Sequence, residues 1–348
     1  MPSPAAAAVR RRPGALWQRG VSQCAGDACK DGSPCRRRLF PHIEGKVCLT
    51  ALARRDAGTL KTRRRSNGSQ NIAYSGLVHG YRAVASLFMD VPRAPEKHAC
   101  FPVRVEAVED LAPRLRRITV EGPGLRTYRP SGPDEYFGLV IPPRGCSLVL
   151  PRARGLSIRA ELDAIDKADR PELRWYTVRR HDAERGRLTF DVVTHGESGP
   201  GSAWALHAQR GDEVGIRTMT STWRRKAGGQ LLVADPTSAP AMRGILEACT
   251  GEELAATHVR IAASSPDLLE PGYDSFRSEL ASYKEHFVPE GAEAAAVADA
   301  LRRGGKLAVA YAWLCGEASL AKETRKVVVK EWGVPRTDVL FSGYYRRR

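Results

Sequence analysis

The residues Arg174-Trp175-Tyr176-Thr177-Val178-Arg179 carry the strongest chemical signal in the chain. On a strand, Arg174 and Tyr176 point to one face, Trp175 and Thr177 to the other. An arginine can grip a pyrophosphate in bidentate fashion. An aromatic ring two residues on can lie against a flat ring system, and the neighbouring hydroxyl can reach a ring nitrogen. Read alone, the same residues also make an ordinary amphipathic edge strand. A second segment shifts that balance: His195-Gly196-Glu197-Ser198-Gly199-Pro200-Gly201-Ser202-Ala203-Trp204-Ala205. It follows a strand and opens a helix. Its glycines let the backbone approach a phosphate, and Pro200 suits a first helical turn. The free amides and positive end of such a helix form an anion site.

These residues need a scaffold. Strands are expected at 102–108, where Val103, Val105 and Val108 sit among Arg104 and Glu106, and again at 114–121 and 135–141. Residues 144–171, rich in charge, Pro and Gly, read as a long connection. A hairpin is expected from 173–180 and 188–194, then a helix near Ala203 and a last strand at 213–217. Short strands separated by turns suggest a small antiparallel barrel over residues 99–227. From residue 228 to 348 the rhythm becomes β–α. Strands are expected at 230–234, 258–263, 306–314 and 338–341. Helices are expected at 239–249, with Ser238 as cap, at 292–303, ended by Gly304-Gly305, and at 317–331. That alternation predicts a parallel sheet of the nucleotide-binding type. Its ligands belong at the carboxyl ends of the strands, near Ala234-Asp235 and Cys315-Gly316.

The formal charge of +16 invites a nucleic-acid reading. Residues 1–88 hold 16 Lys+Arg against 4 Asp+Glu, and residues 89–348 hold 39 against 35. The excess therefore sits in the first quarter, and nucleic-acid binding by the body of the chain loses its support. Residues 1–98, with triplets at Arg10–Arg12, Arg36–Arg38 and Arg63–Arg65, show no apolar periodicity. They read as a basic, disordered extension or as sequence upstream of a true start at Met89. An export signal at Arg11-Arg12 lacks its apolar region, and a mitochondrial presequence fits only loosely. Cys24, Cys29, Cys35 and Cys48 follow no familiar metal spacing. No apolar run reaches the roughly 18 residues of a membrane span.

The two chemical segments and the C-terminus together resemble the siderophore-interacting protein family, a branch of the ferredoxin-reductase-like flavoproteins. The family's Arg-x-Tyr-[Ser/Thr] motif is matched by Arg174, Tyr176 and Thr177. Its His-Gly…Gly-Pro-[Ala/Gly]-Ser-x-Trp-Ala motif is matched by His195, Gly196, Gly199, Pro200, Gly201, Ser202, Trp204 and Ala205. Its ending is matched by Tyr311, Ala312, Trp313, Gly316, Glu317, Ser342, Gly343, Tyr344 and Arg346. The similarity runs from about residue 101 to the C-terminus.

The resemblance implies an antiparallel six-stranded FAD-binding barrel, then a parallel-sheet NAD(P)H-binding domain. It implies that Arg174 and the turn at Gly201-Ser202 hold the FAD pyrophosphate. Tyr176 would pack on the isoalloxazine, and Thr177 would bond near its reactive nitrogen; these two are the candidate catalytic residues. Val178, His195, Gly196, Gly199, Pro200, Trp204, Asp235, Gly316, Glu317, Tyr344 and Tyr345 complete the candidate cofactor-binding set. The implied reaction is cytoplasmic reduction of a ferric siderophore by NADPH or NADH through FAD, with no iron ligand from the protein.

Three departures stand out. Ala234-Asp235-Pro236-Thr237-Ser238-Ala239-Pro240 replaces a Gly-Asp-Glu-Thr-Ala-x-Pro turn, Arg217 to Trp223 replaces a Gly-Pro-rich link, and Tyr345 replaces a Trp. The altered turn keeps open a ferredoxin-fed reductase. A flavin-containing siderophore-binding protein without efficient turnover is the other alternative. Arg224, Arg225, Lys226, Arg302, Arg303 and Lys306 read as a solvated surface or as a positive mouth for an anionic ferric chelate. Deletion of residues 1–88 is expected to leave flavin content and reductase activity unchanged. Absorbance and turnover of the truncated protein check this, and a large loss of either refutes it.

Overall fold

The computed structural model describes residues 98–152, 158–197 and 199–347. The arginine triplets, the first four cysteines, Met89 and Ser198 lie outside the described residues. The first sheet holds β1 (Cys100–Ala112), β2 (Leu115–Glu121), β3 (Tyr136–Ile141), β4 (Glu172–Thr177), β5 (Arg180–Asp182), β6 (Arg187–Val193) and β7 (Glu213–Thr218). Its order is β4-β3-β7-β1-β2-β6-β5, and every pairing is antiparallel. Three short helices accompany it: α1 (Pro123–Thr127), α2 (Ile158–Asp163) and α3 (Pro200–His207). The alternating residues point inward as the pattern requires. Val103, Val105, Ile118, Val120, Phe137, Leu139, Leu188, Phe190, Val214 and Ile216 make one core. The odd spacing from Val105 to Val108 is absorbed by a register shift between Val105 and Ala107. That irregularity returns Val108 to the core side.

Six strands were expected and seven are described. The run expected at 173–180 divides at Val178-Arg179. Residues before the break pair with β3, and residues after it pair with β6. Within the break, the Val178 amide donates to Glu135 O and the Arg179 amide to Thr189 O, both at 2.8 Å. Val178 is buried in the core while the Arg179 side chain leaves the sheet fully covered. One strand cannot serve both directions without bending.

The second sheet holds β8 (Gln230–Ala234), β9 (Thr257–Ala263), β10 (Ser282–Phe287), β11 (Tyr311–Glu317) and β12 (Val339–Tyr345). All pairs are parallel, in the order β10-β9-β8-β11-β12. The helices are α4 (Ala239–Ala248), α5 (Gly251–Ala255), α6 (Glu293–Gly304) and α7 (Ala318–Lys326). Each sheet face carries its own apolar cluster, one with α4 and the other with α6 and α7. This is the two-sided burial that parallel sheets need.

Four expectations change here. β10 was not foreseen, because its sequence Ser-Tyr-Lys-Glu-His-Phe is polar and it lies at the sheet edge. β11 starts later than 306, since the Ala310 amide is tied to Gly229 O (2.7 Å) just before the ladder with β8 begins. The helix expected to 331 changes to a π-helical turn at Val327–Glu331. Ser238 occupies the cap position of α4 without capping it. α6 does end at Gly305, whose φ of 74° favours glycine.

Two polar devices join the sheets. Asp134, 1% exposed, receives the Thr222 amide (2.9 Å), the Thr222 hydroxyl (2.7 Å), the Trp223 amide (2.9 Å), the Ser221 hydroxyl and Trp313 Nε1 (3.2 Å). It thereby ties the 221–223 link to β11. The second device is ionic. Arg117 grips Asp191 through two 2.8 Å bonds and Glu270 at 2.9 Å. Arg179 grips Glu247 at 2.7 and 2.8 Å and reaches Glu270 at 3.2 Å. Both arginines come from the first sheet's unit, while Glu247 and Glu270 belong to the second.

Replacing Asp134 by alanine leaves several buried donors without an acceptor. Asp134→Ala is expected to lower the unfolding free energy by about 3 kcal/mol or more, and Asp134→Asn by less. Urea denaturation of the full chain measures this; a loss below about 1 kcal/mol for the alanine variant would show that the carboxylate does not hold the link.

Candidate functional site

The first wall of the site is β4 under the start of α3. A Cβ placed on Gly201 would lie 2.6 Å from Tyr176 Oη and 3.2 Å from Arg174 Cγ. No side chain fits there, so the first helical turn rests directly on the Arg-x-Tyr strand. Pro200 opens the helix, as expected. Gly196 and Gly199 take φ values of 79° and 98°, which few other residues tolerate. Ser202 fixes the loop: its hydroxyl accepts from the His195 amide (3.0 Å) and donates to Gly196 O (2.6 Å). The Ser202 hydroxyl is thus committed to shaping the loop. His195 stands exposed at the loop's start.

The aromatic residues around this turn form a ladder. Tyr176 lies 5.3 Å from Phe190 and 6.4 Å from Phe137, and Trp204 stacks on Phe190 at 6.5 Å with 12° between planes. Trp204 therefore anchors α3 to the core. Burial pushes the Tyr176 phenol up to about 12, against the pull of Arg174. Arg174 keeps a side chain 40% exposed and pairs with Glu172 at 3.0 Å. Its guanidinium sits at the open edge of the cradle, free to exchange that weak surface pairing for a stronger anion.

Thr177 is buried, and its Oγ1 meets no partner in hydrogen-bonding geometry. The Tyr344 phenol, from the far end of β12, makes a loose polar contact with it that opposes the rise burial imposes on the phenol. Burial raises that phenol well above its usual range, with the Cys315 thiol and Asp134 adding to the shift. Cys315 is itself fully buried, and burial raises its thiol too. Thr177, Tyr344 and Cys315 thus gather where the two sheets meet. A buried hydroxyl lacking a good acceptor or donor is uncommon in a folded protein. With the cradle at Gly201, it fits a flat, phosphate-bearing cofactor whose polar ring edge ends at Thr177.

The carboxyl edge of the parallel sheet is closed by its own side chains. Asp235 Oδ1 accepts from the Thr237 amide (2.9 Å), the Thr237 hydroxyl (2.6 Å) and the Ser238 amide (3.2 Å). Its Oδ2 accepts from the Glu317 amide at 2.6 Å. Burial raises the Asp235 carboxyl, and these bonds oppose that shift. A Cβ on Gly316, at φ 133°, would stand 2.7 Å from the Asp235 carboxyl carbon. The Ser238 hydroxyl donates to Cys315 O at 3.0 Å. Glu317 caps α7 through the Ser319 (2.6 Å) and Leu320 (3.4 Å) amides. Asp235, Gly316 and Glu317 therefore come together as a staple between β8 and β11. Tyr345 lies opposite Glu317 in the ladder and is 38% exposed.

Three of the basic residues proposed for a mouth are already in ion pairs. Arg225 pairs with Glu253, Lys226 with Asp338 (2.7 Å) and Arg302 with Glu331 (3.0 Å). Arg303 and Lys306 are exposed, and Arg224 is largely buried. One residue of the junction had no signal in the sequence: Asp134 stands 179 positions from Trp313 with no motif around it. Among the described residues no group of three or more His, Cys, Asp or Glu could hold a metal ion, and no helix is long and apolar enough to cross a membrane.

Two family models match the chain. One, described as a siderophore-interacting FAD-binding domain, covers residues 104–219, and the other, described as siderophore-interacting protein, covers 227–348. An uncharacterized protein of Mycobacterium tuberculosis is 30% identical over 261 residues, 70% of this chain and 89% of that one. The ferric vibriobactin reductase of Vibrio cholerae is 29% identical over 135 residues, 38% of this chain and 48% of that one. A siderophore utilization protein from T. fusca has the same fold, with a TM-score of 0.58 at 24% identity, covering 73% of this chain and 97% of that one.

Gly201→Val is expected to weaken FAD binding at least about 100-fold, the loss of a phosphate-side contact and displacement of α3 together. Gly201→Ala combined with Tyr176→Phe, which removes the nearest atom, is expected to bind better than Gly201→Ala alone. Flavin fluorescence titration of the full-length variants decides it, and equal binding by Gly201→Val and the parent chain would sink the cradle.

Proposed function

The chain belongs to the siderophore-interacting protein family, and on that premise we propose that it is an FAD-dependent reductase of ferric siderophores fed by a nicotinamide nucleotide. The observation that carries the reading is the pairing of the Gly201 cradle with the unsatisfied, buried Thr177 hydroxyl. Residues 99–227 form the flavin domain and residues 228–348 the nucleotide domain. Taking β4 and β5 as one strand bent at Val178-Arg179 reduces the seven described strands to the six of a flavin-binding barrel.

Bound FAD supplies the conversion of a two-electron donor into single electrons. The chain's own residues do the rest. Arg174 and the backbone of the Gly201-Ser202 turn hold the pyrophosphate, with the α3 dipole assisting. Tyr176 packs beside the ring. Thr177 Oγ1 bonds the ring's polar edge, where its unmet capacity would be satisfied. Val178, Phe137 and Phe190 exclude water from the barrel side, and Tyr344 covers the site from β12. Each NADPH carries two electrons, enough for two Fe(III) ions, and one proton is released. Hard oxygen donors hold Fe(II) far more weakly than Fe(III), so reduction frees the metal without any protein ligand. The ferric vibriobactin reductase is a precedent for such a substrate by its name. The cytoplasm, with its nicotinamide pool and reducing thiol poise, is the compartment this reaction fits.

One observation favours a second donor. The amides of the turn leading into α4 and the first amides of α7, natural seats for a dinucleotide phosphate, are already taken by Asp235 and Glu317. A ferredoxin needs neither. Anaerobic mixing separates the donors. NADPH is expected to bleach the flavin, and Fe(II) trapped by a ferrous chelator is expected to appear from a ferric siderophore. Bleaching by reduced ferredoxin but by neither NADPH nor NADH would transfer the reading to the second donor. A colourless protein indifferent to added FAD would overturn both.

A further inference from the structure

The outer edge of the second sheet carries a cationic cluster that the redox reading does not use. On β9, His258 and Arg260 share the face that Ala262 lends to the α6 side. On β10, Ser282, Lys284 and His286 stand in register with His258, Arg260 and Ala262. Arg260 is 5% exposed. Its Nη1 donates to Val259 O (2.7 Å) and Ser282 Oγ (2.9 Å). No carboxylate lies within ion-pair distance of Arg260, Lys284 or Arg303 among the described residues, although charges elsewhere pair extensively.

The acidic groups of the neighbouring elements are committed elsewhere. Glu285 points to the opposite face, bonding Arg277 (3.1 Å) and Tyr283 (2.7 Å). Asp299 binds Arg302, and Glu293 binds Arg347. The charges that reach His286 are all positive: Arg260, Lys284 and Arg303, the last from the final turn of α6. Burial, then these cations, holds His286 below its usual range; burial and Arg260 do the same to His258. His286 Nε2 is buried with no partner, while His258 Nδ1 is tied to Ser282 Oγ at 2.8 Å. A buried guanidinium is normally paired, and an orphaned imidazole nitrogen normally finds a partner. Here both demands are open at one place, and both ask for the same thing, an oxyanion.

We propose that this face of β9 and β10, under the end of α6, is a binding site for a phosphate group, with Arg260, His286, Lys284 and Arg303 as its contacts. Several cations without an intervening carboxylate suit a dianion better than a single carboxylate. Arg260 offers a planar fork and Lys284 and Arg303 offer mobile charge. His286 adds a nitrogen that donates whether neutral, in one tautomer, or protonated. The site is not part of the flavin cradle: four strand spacings separate β10 from β12, about 19 Å across the sheet. It serves as a sensor or holding site on the nucleotide domain rather than as part of electron transfer.

The test uses the full-length holoprotein, with the His286 imidazole resonance assigned through His286→Gln. Inorganic phosphate, added at constant ionic strength against chloride, is expected to shift that resonance saturably. It should also raise the apparent pKa of His286 by about half a unit or more, as a nearby anion favours the charged ring. Lys284→Glu combined with Arg303→Glu, both at exposed positions, is expected to weaken phosphate at least about tenfold while flavin content and reductase rate stay at parent values. Adenosine monophosphate forms the second arm. Tighter binding than inorganic phosphate, lost in the same double variant, assigns the site to a phosphate ester; equal or weaker binding assigns it to the free ion. A His286 resonance blind to both compounds, or binding untouched by the double variant, overturns the proposal.

Discussion

Two arginines of the first sheet, clasped by two glutamates of the second unit, fix everything that the site requires. Arg179 is fully covered, and Glu247 and Glu270 surround it. Arg117 adds Asp191 and the same Glu270. Burial raises these glutamates, yet their bonds to the arginines prevail and hold both below the usual carboxylate range. A buried ion pair has a large desolvation cost, so the net gain in stability is small. What such a network gives is geometry. Removing one partner strands a buried charge, and few other arrangements of the two units satisfy all five groups.

The consequences run in two directions along the chain. Toward the N-terminus of the break, Arg179 ends β4 and forces the turn that separates it from β5. Thr177 is thereby left at the strand's end, buried beside the second sheet. Toward the C-terminus, the clasp sets α4 against the first sheet, and with it β8, β11 and β12. Tyr344 then reaches Thr177 and Cys315 faces the junction. Asp134 reinforces the same relation from the other side through the 221–223 link and Trp313.

The carboxyl edge of the parallel sheet shows how a changed motif is accommodated. Pro236 cannot donate an amide, and no glycine precedes Asp235. The turn compensates with the Asp235 carboxylate, which bonds the Thr237 and Ser238 amides that follow it and crosses to Glu317. Gly316 then has no alternative, since any side chain would enter the Asp235 carboxyl. The edge is well ordered by its own bonds, and a donor must bind against that order.

The sequence by itself determined the parts whose logic is local. Alternation around Val103 and Val105 announced strands, and β–α rhythm announced a parallel sheet. The Arg-x-Tyr-Thr strand and the Gly-Pro-Gly-Ser turn carried the flavin motif, because strand faces and helix starts follow from a few adjacent residues. Only the tertiary structure decided what depends on distant partners. Asp134 and Trp313 meet across 179 positions. Arg179 looked like one more strand residue until Glu247 and Glu270 explained the break after Thr177. β10 hid because an edge strand with Lys284 and His286 has no apolar run to betray it. Ser202 and Asp235 matched ligand-binding positions, yet their hydrogen bonds go to the protein's own backbone. Periodicity reports which face a residue takes; only the folded chain decides which charge or donor waits on that face.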